Sequence, residues 1–369
     1  MESGSGAKLD SYFAYTKKVF ELSNTSVLNR TFSSVFDYLK PEFWRPFSRE
    51  KIKFIGNLQH EIHSRFSHTK IRQTLLYQLA FLGTAPSKTS RVYATLNYID
   101  MKWGVLYPMG GISSLIAAMV QVGKDKGVIY HTNTPVETIV HHSHVATAIK
   151  VKEKEIRFDS IISNTHREFT EKVLLKRPSS KTYPRAPSAV LIFAGIQGKL
   201  KNLAHHNLFF ADDYECYYRD VYTTHSIPKD PNFYMAAASI IDLSIAPTEC
   251  ENLSWVIPVS SKRKMDRSEL THFVDMILEK TEQKIGQAIR SKLLFLEYRA
   301  HEYFTETFNA PDGTAIGIPN LTTLTGPFRP KFFDSTLANL FYVGADTHPG
   351  IGMPMCILSA QNLSKHFMV

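Results

Sequence analysis

Residues 339–367 read NLFYVGADTHPGIGMPMCILSAQNLSKHF. Leu340, Phe341, Tyr342 and Val343 form a short apolar run of strand composition. It stops at Gly344, and a turn rich in glycine and proline follows through Pro349, Gly350, Gly352 and Pro354. Over residues 355–367 the apolar positions Ile357, Leu358, Leu363 and Phe367 recur at helical spacing. Strand, glycine-rich turn and helix, in that order, bring a helix N-terminus up to a ligand in α/β proteins. The glycines admit backbone close to it, and the first N–H groups of the helix point at an electron-rich group. Pro354 suits the first helical turn, where its missing N–H costs nothing. A short glycine pattern is weak by itself, and a strand–loop–helix that merely closes a domain satisfies it equally.

The rest of the chain is globular in composition. Its 369 residues are 43% apolar and 21% charged, enough for one large or two ordinary domains. Cys216, Cys250 and Cys356 are far apart and form no CxxC pair, so neither disulfides nor a zinc site is expected and a reducing, cytoplasmic compartment is. The net charge of +9 comes with no basic run longer than the KRK at 262–264, no zinc finger and no RNP-like motif, so nucleic acid is not an expected partner. The start, MESGSGAKLD, lacks the apolar core of a signal peptide. No apolar run approaches the ~20 residues of a spanning helix, so any membrane contact is expected to be peripheral.

Residues 1–106 read as helical, with helices over 9–22, 27–39, 52–65 and 69–82. Phe43, Trp44, Arg45 and Phe47 cluster aromatics with a cation, as interfacial segments do. A buried helix under an aromatic cap is the plainer alternative for this region. A helix over 112–124 ends at Gly127. Strands follow over 128–132 and 136–140, and then an antiparallel pair, 144–151 with 156–163. Between 170 and 310 the short strands 190–194, 208–211, 233–239, 255–259 and 293–298 and the helix 267–290 suggest a mixed sheet with helices. The expected segments are 1–106 helical, 107–170 and 311–369 in one domain, and 171–310 in another.

The string GADTHPGIGMPMCILSAQ resembles the C-terminal flavin motif of the carotenoid desaturases, of the phytoene or dehydrosqualene desaturase type, within the amine-oxidase-like flavoproteins. QLAFLGTAPSKTSRVYATLNYID, GVLYPMGGISSLIAAM, ISNTHREFTEKVL, LKNLAHHNLFFADD and ENLSWVIPVS resemble the same family in the same order. The resemblance implies an α/β (α+β) fold. A Rossmann-like FAD-binding domain (107–170 and 311–369) is interleaved with a mixed-sheet substrate domain, and a helical region faces a membrane. Family members begin with a strand, G-x-G-x-x-G and a helix that hold the pyrophosphate. This sequence shows none of it, so the expected FAD domain is incomplete, and a second chain supplying the N-terminal unit is one expected partner.

The implied reaction removes hydrogen across an allylic C–C bond of a C30 or C40 polyene, with the flavin taking the hydride. Implied cofactor contacts are Val136 at the adenine and Gly344, Asp346, Gly350, Gly352, Met353, Pro354 and Met355 along the ring and ribityl chain. The N–H groups of Met353 and Met355 would meet negative charge on the reduced ring. Asp346 stands where the motif has a small residue; a ribityl contact and a solvated loop carboxylate are both open to it. Tyr107, Met109, Phe193, Phe209, Phe210 and Tyr234 are candidate walls for an apolar chain, with ordinary core packing the alternative for each. No acid–base residue stands out; Asp100 and His348 are the two candidates. His60, His63 and His68 lack HExxH spacing, and His141, His142 and His144 read as surface, so no metal is expected. A saturase or isomerase on the same scaffold, and a non-catalytic remnant or partner subunit, remain as alternatives.

Overall fold

The structure, a computed structural model, describes residues 2–28, 36, 40–41, 44–45, 48, 56–179 and 181–367. Phe43, Phe47 and most of the helix expected over 27–39 lie outside the described residues. The principal helices are α1 (Ser5–Ser23), α2 (Leu58–Arg65), α3 (Thr69–Leu76), α4 (Thr95–Trp103), α5 (Ile112–Asp125), α6 (Arg267–Ile285), α7 (His301–Phe308) and α8 (Met353–Ser364). The strands are β1 (Thr138–His142), β2 (Val145–Val151), β3 (Lys154–Arg157), β4 (Ile161–Ser163) and β5 (Ser188–Gln197), then β6 (His206–Phe209), β7 (Phe233–Ala236), β8 (Cys250–Val259), β9 (Leu293–Arg299) and β10 (Leu340–Tyr342). They fall into two compact units, one of residues 1–104, 134–186 and 307–369, the other of 105–133 and 187–306. The contact grouping divides the chain differently from the expected segments: 107–133 group with the second unit, while 1–104 and 171–186 group with the first.

In the second unit the sheet order is β6-β7-β8-β5-β9, and every pairing is antiparallel, which corrects the expected mixed sheet. β8 and β9 both run antiparallel to the β5 strand between them, so they point the same way and α6 carries the chain across β5 from one to the other. β5 and β8 pair over ten residues. Their inward positions Val190, Ile192, Ala194 and Ile196, and Leu253, Trp255 and Ile257, pack on Phe273, Val274, Ile277 and Leu278 of α6. The indole N–H of Trp255 donates to Thr281 Oγ1 at 3.1 Å, which satisfies the buried polar end of the ring. The α6 helix starts in a capping box of Asp266 and Glu269 and ends at Gly286 in the left-handed region.

Residues 128–132 are not a strand. The backbone there pairs with no strand among the described residues, and Val128, Ile129 and Tyr130 are exposed. Strand composition produces a strand only where a neighbour offers a ladder of N–H and C=O groups. The α5 helix before it buries no residue, although Ile112, Ile116, Met119 and Val122 recur along one stripe.

In the first unit β1-β2-β3 form an antiparallel meander, and β4 pairs in parallel with β10. The expected pair 144–151 with 156–163 is therefore corrected. Lys152 and Glu153 both take positive φ in a tight turn, and β3 ends at Arg157. The Asn339 side chain then clamps the next segment. It donates to Asp159 O at 2.8 Å and Ala146 O at 2.7 Å, while Ile161 N donates to Asn339 O at 3.0 Å. That redirects 161–163 onto β10. Among the described residues no helix is long and apolar enough to cross a membrane.

Candidate functional site

The turn between β10 and α8 is built from buried polar groups. Gly344 N donates to Ser359 Oγ at 3.0 Å, and the Ser359 and Thr347 hydroxyls share a hydrogen at 2.7 Å. Ser359 lies on α8, so one side chain ties the strand end to the helix. Gly350 has φ +130°, and a Cβ there would lie 2.5 Å from Asn320 Oδ1 and 3.2 Å from the Arg329 guanidinium carbon. The position excludes any side chain, by conformation and by space.

Arg329 is the centre of this arrangement. It is 3% exposed and donates to the Thr347, Pro319, Ile318 and Ala345 carbonyls and to Asn320 Oδ1, at 2.7–3.4 Å. Burial pushes the guanidinium down from its usual value, opposed by Tyr93 and by the Asp346 charge. Five oxygen acceptors replace its hydration, so the cation staples 318–320 to 345–347.

Asp346 points inward. Its Oδ2 accepts from Arg167 N at 3.1 Å and lies 3.2 Å from His166 Nδ1. Burial pushes the carboxyl up, but the His166 hydrogen bond and charge, the Arg167 N–H and Arg329 outweigh it, and the group is held below the usual carboxylate range. Its Oδ1 is buried and has no hydrogen-bond partner in the structure. Asp346 lines, with His166, Lys181, Tyr183 and Arg185, a cavity with room for about one water. His348 is buried, with Nε2 2.9 Å from the Val27 carbonyl.

At the end of the turn Gly352, Met353 and Pro354 are exposed at the N-terminus of α8. The Met353 and Met355 N–H groups have no acceptor within the helix. The glycine cradle, the open helix N-terminus and the orphaned Asp346 oxygen fit a flat, electron-rich group carrying hydroxyls. Pro354 occupies the second helical position, so its missing N–H leaves this donor set intact.

The remaining candidates are distributed. Val136 packs beside Ile139 and Ala146. Asp100, on α4, accepts from Tyr77 OH at 3.0 Å and from Gln78. In the second unit Tyr107 donates to Asp242 Oδ2 at 3.2 Å and meets His205 edge to face at 4.7 Å. His205 stacks on His206 at 4.0 Å, and His206 Nδ1 lies 2.6 Å from Tyr234 OH. Burial pushes both imidazoles down. Phe209 stacks on Phe233 within the core, Phe210 is half-buried, and Phe193 and Met109 are exposed.

Sequence reasoning did not find Arg329, Asn320, Ser359 or His166. Arg329 sits in GPFRP, where nothing in the local pattern marks a buried cation. His166, in ISNTH, lies in a stretch that resembles the family and was open to closer reading.

The sequence signature of flavin containing amine oxidoreductases matches residues 40–178. A carotenoid 3,4-desaturase of Haloarcula japonica is 26% identical over 99% of this chain and 75% of its own length. A zeta-carotene-forming phytoene desaturase of Myxococcus xanthus is 25% identical over 100% of this chain and 72% of its own. Among solved structures, an oxidoreductase from Methanosarcina mazei superimposes with a TM-score of 0.54 at 15% identity, over 90% of this chain and 73% of that one.

Proposed function

We propose, from the premise that this chain belongs to the carotenoid desaturase branch of the flavin-containing amine oxidoreductases, that it is an FAD-dependent desaturase of phytoene-like C30 or C40 polyenes. The observation that carries the reading is the β10–turn–α8 cradle, in which a glycine wall and an exposed helix N-terminus stand together. FAD, when bound, would supply the two-electron acceptor, taking a hydride from one carbon while the adjacent allylic carbon loses a proton to water. The chain's own residues orient and polarise. Gly350 lets backbone approach closely, Arg329 holds the turn's carbonyls inward, and the Met353 and Met355 N–H groups favour negative charge beside them. Asp346 supports the cradle through His166 and offers Oδ1 to a hydroxyl.

The polyene is apolar, so its site needs no charged specificity group. Val105, Leu106 and Met109, in the second unit, are exposed along one short segment, which favours seating on a membrane surface through which such a substrate arrives. The test is expression in cells that accumulate phytoene or its C30 counterpart, with flavin retention measured on the purified protein. Red-shifted polyene products are expected. Unchanged substrate from a protein that retains FAD would sink the desaturase reading. Asp346→Ala is expected to weaken FAD binding about tenfold; unchanged affinity would return Asp346 to a purely structural role.

A further inference from the structure

We propose that His206, oriented by Tyr234, is a polar stop for one end of the substrate, and that it hydrogen-bonds a terminal hydroxyl carried by an otherwise apolar polyene. The inference rests on the desaturase reading above and names a substrate class within it. The two side chains share one face of the five-stranded sheet. One row in register runs His206, Ala236, Ser254, Phe193 across β6, β7, β8 and β5, and the row beside it runs Leu208, Tyr234, Val256, Leu191. The rows are two residues apart along each strand, so they lie on one face. The residues between them, Met235, Trp255 and Ile192, belong to the core under α6, which puts both rows on the face away from that helix. Leu208 and Phe193 are exposed there, and Ala236 and Ser254 between His206 and Phe193 are small. A shallow, mainly apolar strip therefore runs from Phe193 to His206 over three strand spacings, about 14 Å.

The polar end of the strip is held in place. Asp242 is buried and accepts from Tyr107 OH at 3.2 Å, Gly110 N at 2.6 Å, Ser244 N at 3.1 Å and Ser244 Oγ at 2.6 Å. Tyr107, fixed in this way, meets His205 edge to face at 4.7 Å, and His205 stacks on His206 at 4.0 Å with 12° between the rings. His206 Nδ1 lies 2.6 Å from Tyr234 OH, which sets the rotation of the exposed imidazole. Among the described residues His206 Nε2 has no hydrogen-bond partner.

The chemistry of the occupant follows from these groups. When Tyr234 gives its hydrogen to Nδ1, Nε2 carries the ring proton and donates; when Nδ1 gives its own, Nε2 accepts. A hydroxyl both donates and accepts, so it matches Nε2 in either tautomer. A hydrocarbon end laid over Nε2 would take away its water and give nothing in return. Burial pushes both imidazoles down, and each stacked ring disfavours a charge on the other, so the pair is neutral near neutral pH. Tyr107, His205, His206, Tyr234 and Asp242 then include no cation, so a carboxylate end finds no opposite charge among them.

The test measures quenching of tryptophan fluorescence on the full chain, in detergent near neutral pH, by three probes. These are a C30 polyene, the same polyene with one terminal hydroxyl, and the same polyene with one terminal carboxylate. The hydroxyl probe is expected to bind about tenfold more tightly than the hydrocarbon, and the carboxylate probe no more tightly than the hydrocarbon. His206→Leu should bring the two affinities to within about twofold of each other, and Tyr234→Phe should lower their ratio about threefold, while the far-UV spectrum stays native. The ratio is taken within one variant, so damage to the wall or to folding weakens both probes and leaves it unchanged. Equal affinities for hydrocarbon and hydroxyl probes in the native chain overturn the proposal. So does a ratio that survives both substitutions, or a carboxylate probe that binds most tightly. Turnover is measured separately on the FAD-loaded protein. A hydroxyl preference without turnover of any probe keeps the polar stop and removes the desaturase reading; turnover of the hydrocarbon with equal affinities does the reverse.

Discussion

The residues that matter most at the turn are those that leave no room. Gly350→Ala would put a methyl group against Asn320 and Arg329, and Asn320 is itself buried and bonded to that guanidinium. Neither side chain can swing away, so a loss of about 2 kcal/mol or more is expected from the strained φ and the broken pair, with FAD retention falling in parallel. Chemical denaturation and flavin fluorescence check both. Asp334 gives a pH test. Burial pushes its carboxyl up, but Arg177, the Thr336 N–H and the Tyr342 hydroxyl outweigh this, and it titrates below the usual range. A depressed carboxyl contributes stability that is full above its unfolded value, near ~3.9, and lost as pH falls through the native value. Asp334→Asn is therefore expected to cost about 3 kcal/mol near neutrality and to flatten the acid side of the stability–pH curve. An unchanged acid slope would exclude Asp334 as its source. The glycines and Asp346 were legible because a turn's chemistry is written locally. Arg329 was not, because its acceptors lie up to 18 positions away along the chain and no local period encodes them.

At the scale of elements, helices were legible where both an apolar period and a stop signal were present. The helix expected over 267–290 is α6, bounded by its capping box and by Gly286. Asp266 Oδ1 accepts from Glu269 N at 2.8 Å, and Glu269 returns the bond to Asp266 N at 3.0 Å. Asp266→Ala should cost about 1 kcal/mol, seen as a lower thermal midpoint, and Asp266→Ser should recover most of it. A midpoint unmoved by Asp266→Ala would show that packing alone sets the helix start. Strands were less legible because pairing is non-local. The run 156–163 reads as one strand, yet Asn339, nearly two hundred residues on, divides it between two sheets. The run 128–132 has strand composition and no partner, which only the fold reveals.

For the whole molecule, backbone hydrogen bonds differ in how well packing protects them, even inside one unit. β5 is flanked by β8 and β9 and backed by a core in which Val190, Ile192, Ala194, Ile196 and Trp255 are fully buried. Every route to exchange at the centre of β5 requires loss of that core, so its amides should report global opening of the second unit. The α5 helix is in the same unit but buries no side chain, so it has only its own helical bonds to resist opening. Native-state exchange is therefore expected to divide this one unit, with amides of 190–196 slowest and those of 112–125 faster by at least a hundredfold. Equal protection would mean that α5 is covered in solution. Ile116→Glu then separates the causes: a solvated helix keeps its fast exchange and the protein becomes more soluble, whereas a covered one loses its protection. Either result fixes whether the exposed Ile112, Ile116, Met119 and Val122 stripe is a free surface of the isolated chain.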